Sequence, residues 1–161
     1  MFPYLILIFL VFLADRISKW WAASYLAAHG AAQINALFSI REAYNRGIAF
    51  GMFQGIGPLV GWLTIVVVAG LLIYLARLPE DAKLVKIGLA LIIGGALGNL
   101  VDRILVGKVL DFIETPFRPG IFNVADLAIN LGVIIILLAA IWSALRSRGQ
   151  ELTEVPPSRY D

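Results

Sequence analysis

Residues 57–76 read GPLVGWLTIVVVAGLLIYLA and contain no charged side chain. A helix of about 20 mostly apolar residues is long enough to span the hydrocarbon core of a bilayer. Pro58 is tolerated in the first turn of such a helix, and Pro79, just beyond Arg77, prevents its continuation. This segment predicts a transmembrane helix, and it sets the expectation for the other apolar segments of the chain.

The whole chain is unusually apolar, with 60% hydrophobic residues among 161 and a mean hydropathy of +0.87. A soluble core of this size could not bury so much apolar surface, so lipid must solvate part of it. The net charge of +2 comes from dispersed arginines and lysines, with no basic stripe for nucleic acid. Cysteine is absent and His29 is the only histidine, which excludes a cysteine nucleophile and argues against a zinc site. We expect an integral membrane protein without metal, cofactor or nucleic acid.

Three further segments are long and apolar enough to form membrane helices. Only helices and closed barrels satisfy their backbone groups in lipid, and these segments lack the two-residue alternation of barrel strands. The predicted fold is therefore an all-α bundle of four transmembrane helices in a single domain. We expect helices at about 3–26, 57–76, 87–106 and 123–145, a cytoplasmic loop at 77–86 and a disordered polar tail at 147–161.

Residues 29–56, between the first two predicted helices, are polar and contain several glycines. A connection of this length is commonly either functional or disordered. Leu37–Ile40 and Ala43–Tyr44 have the composition of strands, which predicts a small β-containing subdomain outside the cytoplasm.

The orientation follows from the basic residues near the helix ends. By the positive-inside rule, the 77–86 loop and the C-terminal tail belong in the cytoplasm, because they contain Arg77, Lys83, Lys86, Arg146 and Arg148. Four spans then place both termini in the cytoplasm. Asp111 and Asp126 are consequently expected at the extracytoplasmic surface.

Polar residues at the start of the fourth predicted helix form a stripe. Asn123, Asp126 and Asn130 are spaced by three and four residues, so they project from one helix face, which we expect to face the bundle. Asn123 and Asp126 also suit a simpler role, as an N-cap and a first-turn acid stabilised by the helix dipole. Asn130 extends the stripe one turn deeper and favours a functional role for Asp126.

Two further acids lie near the end of the third predicted helix. Asn99 and Asp102 share a helix face, and we expect a structural ion pair between Asp102 and Arg103. Asp111 has apolar neighbours on both sides, which argues against a fully solvated loop acid. Spacing alone leaves Asp102, Asp111 and Asp126 as candidates for the two positions of a catalytic carboxylate pair.

Asp15 and Lys19 lie in the first predicted helix at positions i and i+4. This spacing predicts an intrahelical ion pair with a structural role. Binding of a lipid headgroup by the same two residues is the alternative.

Five segments of the chain resemble, in order, the motifs of the lipoprotein signal peptidase family, also called signal peptidase II. They are Asp15–Lys19, Asn45–Phe50, Gly94–Asn99 with Asp102 and Arg103, Val109–Phe112, and Phe122–Asp126. The resemblance implies an aspartic endopeptidase of the bacterial cytoplasmic membrane. Its substrate would be a diacylglyceryl-modified prolipoprotein, cut immediately before the lipidated cysteine.

The resemblance also implies roles for individual residues. Asp111 and Asp126 would form the catalytic dyad and activate a water molecule, while Asp102 would support the structure. The remaining motif residues, with Asn130, would bind substrate or support the site: Asn45, Arg46, Gly47, Asn99, Arg103 and Asn123. We expect the protein to be a monomer that contacts its lipidated substrate and membrane lipid.

Two other classes of protein fit the same polar residues. Asp111, Asp126 and Asn130 could line the ion path of a small carrier, or the protein could bind lipid without catalysing a reaction. The chain shows no inverted repeat or paired broken helices, which disfavours transport.

Overall fold

Eight elements make up the fold in a computed structural model, which describes residues 1–46 and 57–153. For residues 57–58, 118 and 149–153 only the backbone is described. The elements are α1 (Phe2–His29), β1 (Ala32–Gln33), β2 (Ser39–Asn45), α2 (Gly57–Arg77), α3 (Lys83–Leu105), β3 (Val109–Thr115), β4 (Arg118–Phe122) and α4 (Val124–Thr153).

Three of the described helices are long and apolar enough to cross a membrane: Leu59–Arg77 of α2, Lys83–Leu105 of α3 and Val124–Arg148 of α4. These three helices agree with the prediction of a helical membrane protein. Helix α3 is central, since 61% of its apolar stretch is buried, against 17% in α2 and 11% in α4. Large side chains such as Trp62 and Trp142 are exposed on the outer helices, as expected of residues that face lipid.

Small residues let α3 contact two helices closely. A Cβ atom added to Gly95 would lie 2.5 Å from the carbonyl oxygen of Ala125 in α4, and one added to Gly98 would overlap the Asp15 carboxylate of α1. Such residues permit close backbone approach in membrane bundles. The glycines therefore bring the polar residues of α1 and α4 against those of α3.

The strands form one antiparallel sheet in the order β1-β2-β3-β4. The register between β2 and β3 pairs Ala43 with Asp111 and Asn45 with Val109. A β-containing subdomain was predicted, but only from residues 29–56, whereas half of its strands come from the segment between α3 and α4. Pairing with β2 is a long-range contact, and it gives Asp111 the fixed position that the local sequence did not provide.

Two local expectations were wrong. Leu37 and Phe38 precede β2 instead of starting it, because the Asn35 side-chain oxygen accepts both of their backbone N–H groups, at 2.8 and 3.0 Å. Helix α4 continues through Thr153, where disorder from residue 147 was predicted. Residues 145–152 include good helix formers such as Leu, Arg, Gln and Glu. The next proline, a residue that interrupts helices, comes only at position 156.

Candidate functional site

One cavity of about 330 Å³ brings together residues from both halves of the chain. Its polar lining comes from β2, α3, β3 and α4 and consists of Asn45, Asn99, Arg103, Asp111, Asp126 and Asn130, while Val60 and Thr64 of α2 contribute to one wall. Asp111 and Asp126 therefore face the same space. Asp102 does not line this cavity, which separates it from the other two acids.

The start of α4 positions both acids through Asn123. The Asn123 side-chain oxygen accepts the backbone N–H of Asp126 at 3.0 Å, and the Asp126 carboxylate accepts the backbone N–H of Asn123 at 3.3 Å. This reciprocal arrangement is a capping box. Because the cap engages its oxygen, Asn123 presents its Nδ2 group to Asp111 Oδ1, at 2.6 Å. The same side-chain conformation therefore lets Asn123 cap α4 and donate a hydrogen bond to Asp111.

Asn99 makes the corresponding contact to the second acid. Its Nδ2 group donates to Asp126 Oδ1 at 2.9 Å, and its Oδ1 accepts from Asn123 Nδ2 at 3.1 Å. Each carboxylate of the pair thus receives a hydrogen bond from a different asparagine, and the two asparagine side chains are hydrogen-bonded to each other.

Behind Asn99 lies a group of four charges on α1 and α3, of which three are buried and Arg16 is half-buried. Lys19 forms ion pairs with Asp15 at 2.9 Å and with Asp102 at 2.7 Å, and Arg16 pairs with Asp102 at 2.6 Å. The Asp15–Lys19 ion pair is confirmed. Since Asp15 is 0% and Lys19 2% exposed, neither is available to a lipid headgroup.

The ion-pair partner predicted for Asp102 was wrong. Asp102 pairs with Arg16 and Lys19 of α1, because residues 102 and 103 project about 100° apart from the helix axis and Asp102 faces α1. Arg103 instead lines the cavity, and its guanidinium donates to the carbonyl oxygen of Asn99 at 3.4 Å. Sequence reasoning assigned no role to Arg16, although its place beside Asp15 in the first motif was a signal.

The other predicted site residues vary in position. Asn45 lines the cavity from the end of β2, and Asn130 lines it from α4 with its side chain exposed. Arg46 is exposed beyond β2. Gly47 and the rest of the second motif, through Phe50, lie outside the described residues.

Electrostatics distinguish this cavity from an ordinary polar crevice. Burial, followed by the negative charge of Asp126, raises the pKa of Asp111 to about 7; the hydrogen bond from Asn123 and the charges of Lys19 and Arg103 oppose this rise. Asp111 can therefore hold a proton near neutral pH. Within residues 1–46 and 57–153, no three His, Cys, Asp or Glu side chains are grouped to bind a metal ion.

Comparison with known proteins identifies relatives over most of the chain. Residues 7–142 match the family described as signal peptidase (SPase) II. A lipoprotein signal peptidase of Geobacillus thermodenitrificans (strain NG80-2) is 36% identical over 152 residues, covering 92% of this chain and 95% of that protein. Another, of Caldanaerobacter subterraneus subsp. tengcongensis, is 45% identical over 134 residues, covering 81% and 90%.

Solved structures agree with the sequence relatives. A bacterial membrane enzyme determined by the in meso method at 2.3 Å resolution has a TM-score of 0.76 at 25% identity, covering 100% of this chain and 95% of that one. A second, at 1.9 Å, has a TM-score of 0.78 at 26% identity, covering 87% and 93%. By the match over residues 7–142 and the identity to these relatives, the chain belongs to the lipoprotein signal peptidase family, signal peptidase II.

Proposed function

We propose that the protein is an intramembrane aspartic endopeptidase that cuts diacylglyceryl-modified prolipoproteins immediately before the lipidated cysteine. Membership of the family indicates a protease that removes signal peptides from prolipoproteins. The products of the proposed reaction are the lipidated apolipoprotein and the free signal peptide. The position of the cut and the aspartic mechanism are the parts that we add.

The proposal depends on one observation: Asp111 and Asp126 line one cavity, and each accepts a hydrogen bond from an asparagine N–H, at 2.6 and 2.9 Å. Two carboxylates that share one proton can act as acid and base in the same reaction. The raised pKa of Asp111, about 7, supports such sharing near neutral pH.

In the proposed mechanism, a water molecule lies between the two carboxyl groups. The ionised carboxylate removes a proton as the water oxygen attacks the scissile carbonyl carbon, while the protonated carboxyl donates a hydrogen bond to the carbonyl oxygen. The tetrahedral intermediate then collapses, and the departing amine takes up a proton from the pair. The two roles belong to the coupled pair, not to either residue alone.

The remaining residues would bind the peptide and shape the site. Arg103 places a positive charge beside the cavity, where it can stabilise developing negative charge on the carbonyl oxygen. Asn45 and Asn130 supply polar groups for the peptide backbone. Arg46, exposed beyond β2, would contact the substrate, which a monomer could bind alone.

We also propose that α1 is the fourth transmembrane helix, with both termini in the cytoplasm and the cavity near the extracytoplasmic surface. The support is that Asp15 and Lys19 are buried in ion pairs, so their charges do not face lipid. Phe9, Leu10 and Ile17 on the same helix are exposed and apolar. The signal peptide and the diacyl chains could then remain in lipid while the scissile bond enters the cavity.

The test is cleavage of a lipidated prolipoprotein by the purified protein, followed by the size shift on a gel. Asp111→Asn and Asp126→Asn should each reduce cleavage by at least about a thousandfold, because the pair loses its acid-base function. Asp81→Asn, at an exposed acid outside the cavity, is the matched control and should cleave at the wild-type rate. Wild-type cleavage by either dyad variant would refute the mechanism, and ion flux in liposomes without cleavage would favour a carrier.

A further inference from the structure

Lys19 is a buried cation with three oxygen atoms close to its ammonium group. Its ammonium group lies 2.9 Å from Asp15 Oδ2, 2.7 Å from Asp102 Oδ2 and 2.8 Å from Asn99 Oδ1. A lysine ammonium has three N–H donors and no acceptor. The contacts to the two carboxylates are ion pairs, whereas the contact to Asn99 is a hydrogen bond and is the one that leads toward the cavity.

The contact with Lys19 determines which way the Asn99 amide faces. An amide has an accepting oxygen at one end and a donating NH₂ group at the other, and the two ends have nearly the same shape. Because Lys19 can only donate, the oxygen must face Lys19. The NH₂ group then faces Asp126 Oδ1, at 2.9 Å. The reversed amide would place NH₂ against an ammonium group and oxygen against a carboxylate.

The same orientation extends to the second asparagine. Asn99 Oδ1 accepts from Asn123 Nδ2 as well as from Lys19. The other end of the Asn123 amide is already engaged by the backbone N–H of Asp126. Asn123 Nδ2 is therefore directed to Asn99 and to Asp111 Oδ1 together.

Lys19 itself is held in place on both sides. Asp15 Oδ1 accepts the backbone N–H of Ala125, at 3.0 Å, in the first turn of α4. Asp102 is held by Arg16 at 2.6 Å. The cation is consequently anchored to α1, α3 and the start of α4, which are the elements that carry the two asparagines and Asp126.

We propose that Lys19 is a positioning residue, which fixes the amide orientation of Asn99 so that Asp126 receives an N–H donor and Asn123 Nδ2, oriented by the helix cap, has an accepting oxygen beside it. The proposal rests on the proposed function of Asp111 and Asp126. Lys19 does not line the cavity. Under this proposal it nevertheless affects the chemistry, in addition to forming ion pairs within the bundle.

The consequence is a dependence of the pH–rate profile on Lys19. Hydrogen bonds from N–H groups favour the ionised form of a carboxylate. Without Lys19 the Asn99 amide can reverse, Asp126 loses its N–H donor, and the whole profile should move to higher pH. Arg103 at the cavity, and Asp15, Arg16 and Asp102 behind Asn99, are the other charges near this network.

The first experiment compares Asp15→Asn with the double variant Asp15→Asn/Lys19→Met. The single variant keeps the Lys19 contact to Asn99, and Lys19 still has Asp102 as a carboxylate partner. The double variant removes the cation together with one buried anion, so Asp15 is not left as an unpaired charge. Against the single variant, we expect the double variant to lower kcat by about tenfold, with KM within about twofold, and to shift the profile upward. Coincident profiles would show that Lys19 is only structural and would overturn the proposal.

A second variant covers the case in which the double variant does not fold. Asn99→Leu retains Lys19 and its two ion pairs, but residue 99 can then no longer donate to Asp126. It should reproduce the upward shift and the loss of kcat, and a wild-type profile in this variant would also overturn the proposal. Because the charge of Lys19 also lowers the pKa of Asp111 directly, adding Lys19→Met and Asp15→Asn to Asn99→Leu should cause a clearly smaller shift than the same two changes cause with Asn99 present, and an equal shift would overturn the proposal.

An infrared titration of the protonated carboxyl groups, without substrate, separates this proposal from the proposed function. The band lost in Asp111→Asn reports on Asp111, and its midpoint should rise more on replacement of Lys19 with Asn99 present than in the Asn99→Leu background, where only the direct charge effect of Lys19 remains. If the wild type does not cleave prolipoprotein but this difference is found, the positioning role stands and the enzymatic assignment fails. If the wild type cleaves and this difference is absent, only the positioning role fails.

Discussion

At the scale of single residues, the acids that line the cavity and the acid behind it have sharply different surroundings. Asp102 is paired with two cations, whereas Asp111 accepts a neutral amide and lies near a second carboxylate. Paired charges stabilise the ionised form, while burial beside another anion stabilises the protonated form. Only the second environment suits proton transfer near neutral pH. The surroundings therefore explain why Asp111, and not Asp102, is a candidate for catalysis.

The raised pKa of Asp111 predicts how activity depends on pH. In the proposed mechanism the active form holds one proton in the pair, and the proton on Asp111 is lost as the pH rises through about 7. Initial rates of prolipoprotein cleavage should therefore fall above pH 7, approaching about tenfold for each further unit. Recovery of activity on return to pH 7 is the control for unfolding. A rate that stays level between pH 7 and 9 would contradict this prediction.

At the scale of elements, the start of α4 combines helix stability with site geometry. Asn123 caps the helix through its oxygen and holds Asp111 through its nitrogen. One amide side chain serves both purposes because an N-cap uses only the accepting end. A substitution can therefore separate the two purposes.

Asn123→Ser and Asn123→Ala should differ in stability but not in activity. Serine is a good N-cap, whereas alanine loses the cap and should lower the free energy of unfolding by about 1 kcal/mol more. Both remove the amide donor to Asp111 and should lower kcat by about tenfold or more. Thermal unfolding in detergent and the cleavage assay measure the two effects. Full activity in the serine variant would mean that the donor to Asp111 is unimportant.

At the scale of the whole molecule, the site is assembled where the helices meet the sheet. Helix α3 supplies Asn99 and contacts α1 and α4 closely at glycines, and strand β3 returns Asp111 beside α4. In the proposed topology, the sheet and the cavity lie near the extracytoplasmic surface and α1 crosses the membrane. Burial of the α1 charges within the protein makes such a crossing compatible with lipid.

The proposed topology can be tested in a chain that has no cysteine. A cysteine at exposed Ala36 should react with an impermeant maleimide in intact spheroplasts, and one at exposed Asp81 should react only after lysis. An epitope tag at the N-terminus should likewise be detected only after lysis. Accessibility of the tag from outside would show that α1 does not cross the membrane, with Ala36 labelling as the control for orientation.

The local sequence was sufficient for the predictions that depend on neighbouring residues. The apolar run at 57–76 indicated a membrane helix because lipid selects for length and hydrophobicity. The i to i+4 spacing of Asp15 and Lys19 indicated their ion pair, and the order of the motifs indicated the family. The positions of Asn123 and Asp126 at the start of the fourth predicted helix indicated the N-cap.

The tertiary structure decided which groups meet. Asp102 has an adjacent cation in the chain, yet it pairs with Arg16 and Lys19 of another helix. Helical periodicity did not predict the position of Asp111. Its position is fixed by the long-range pairing of β3 with β2 and by the hydrogen bond from the Asn123 amide. Sequence by itself determined that this is a membrane protein with a few costly polar residues, since hydrophobicity and helical spacing are local properties. Only the packing of α1, α3 and α4 decided the amide and ion-pair network around the dyad, because hydrogen-bond partners depend on distances between segments far apart in the chain.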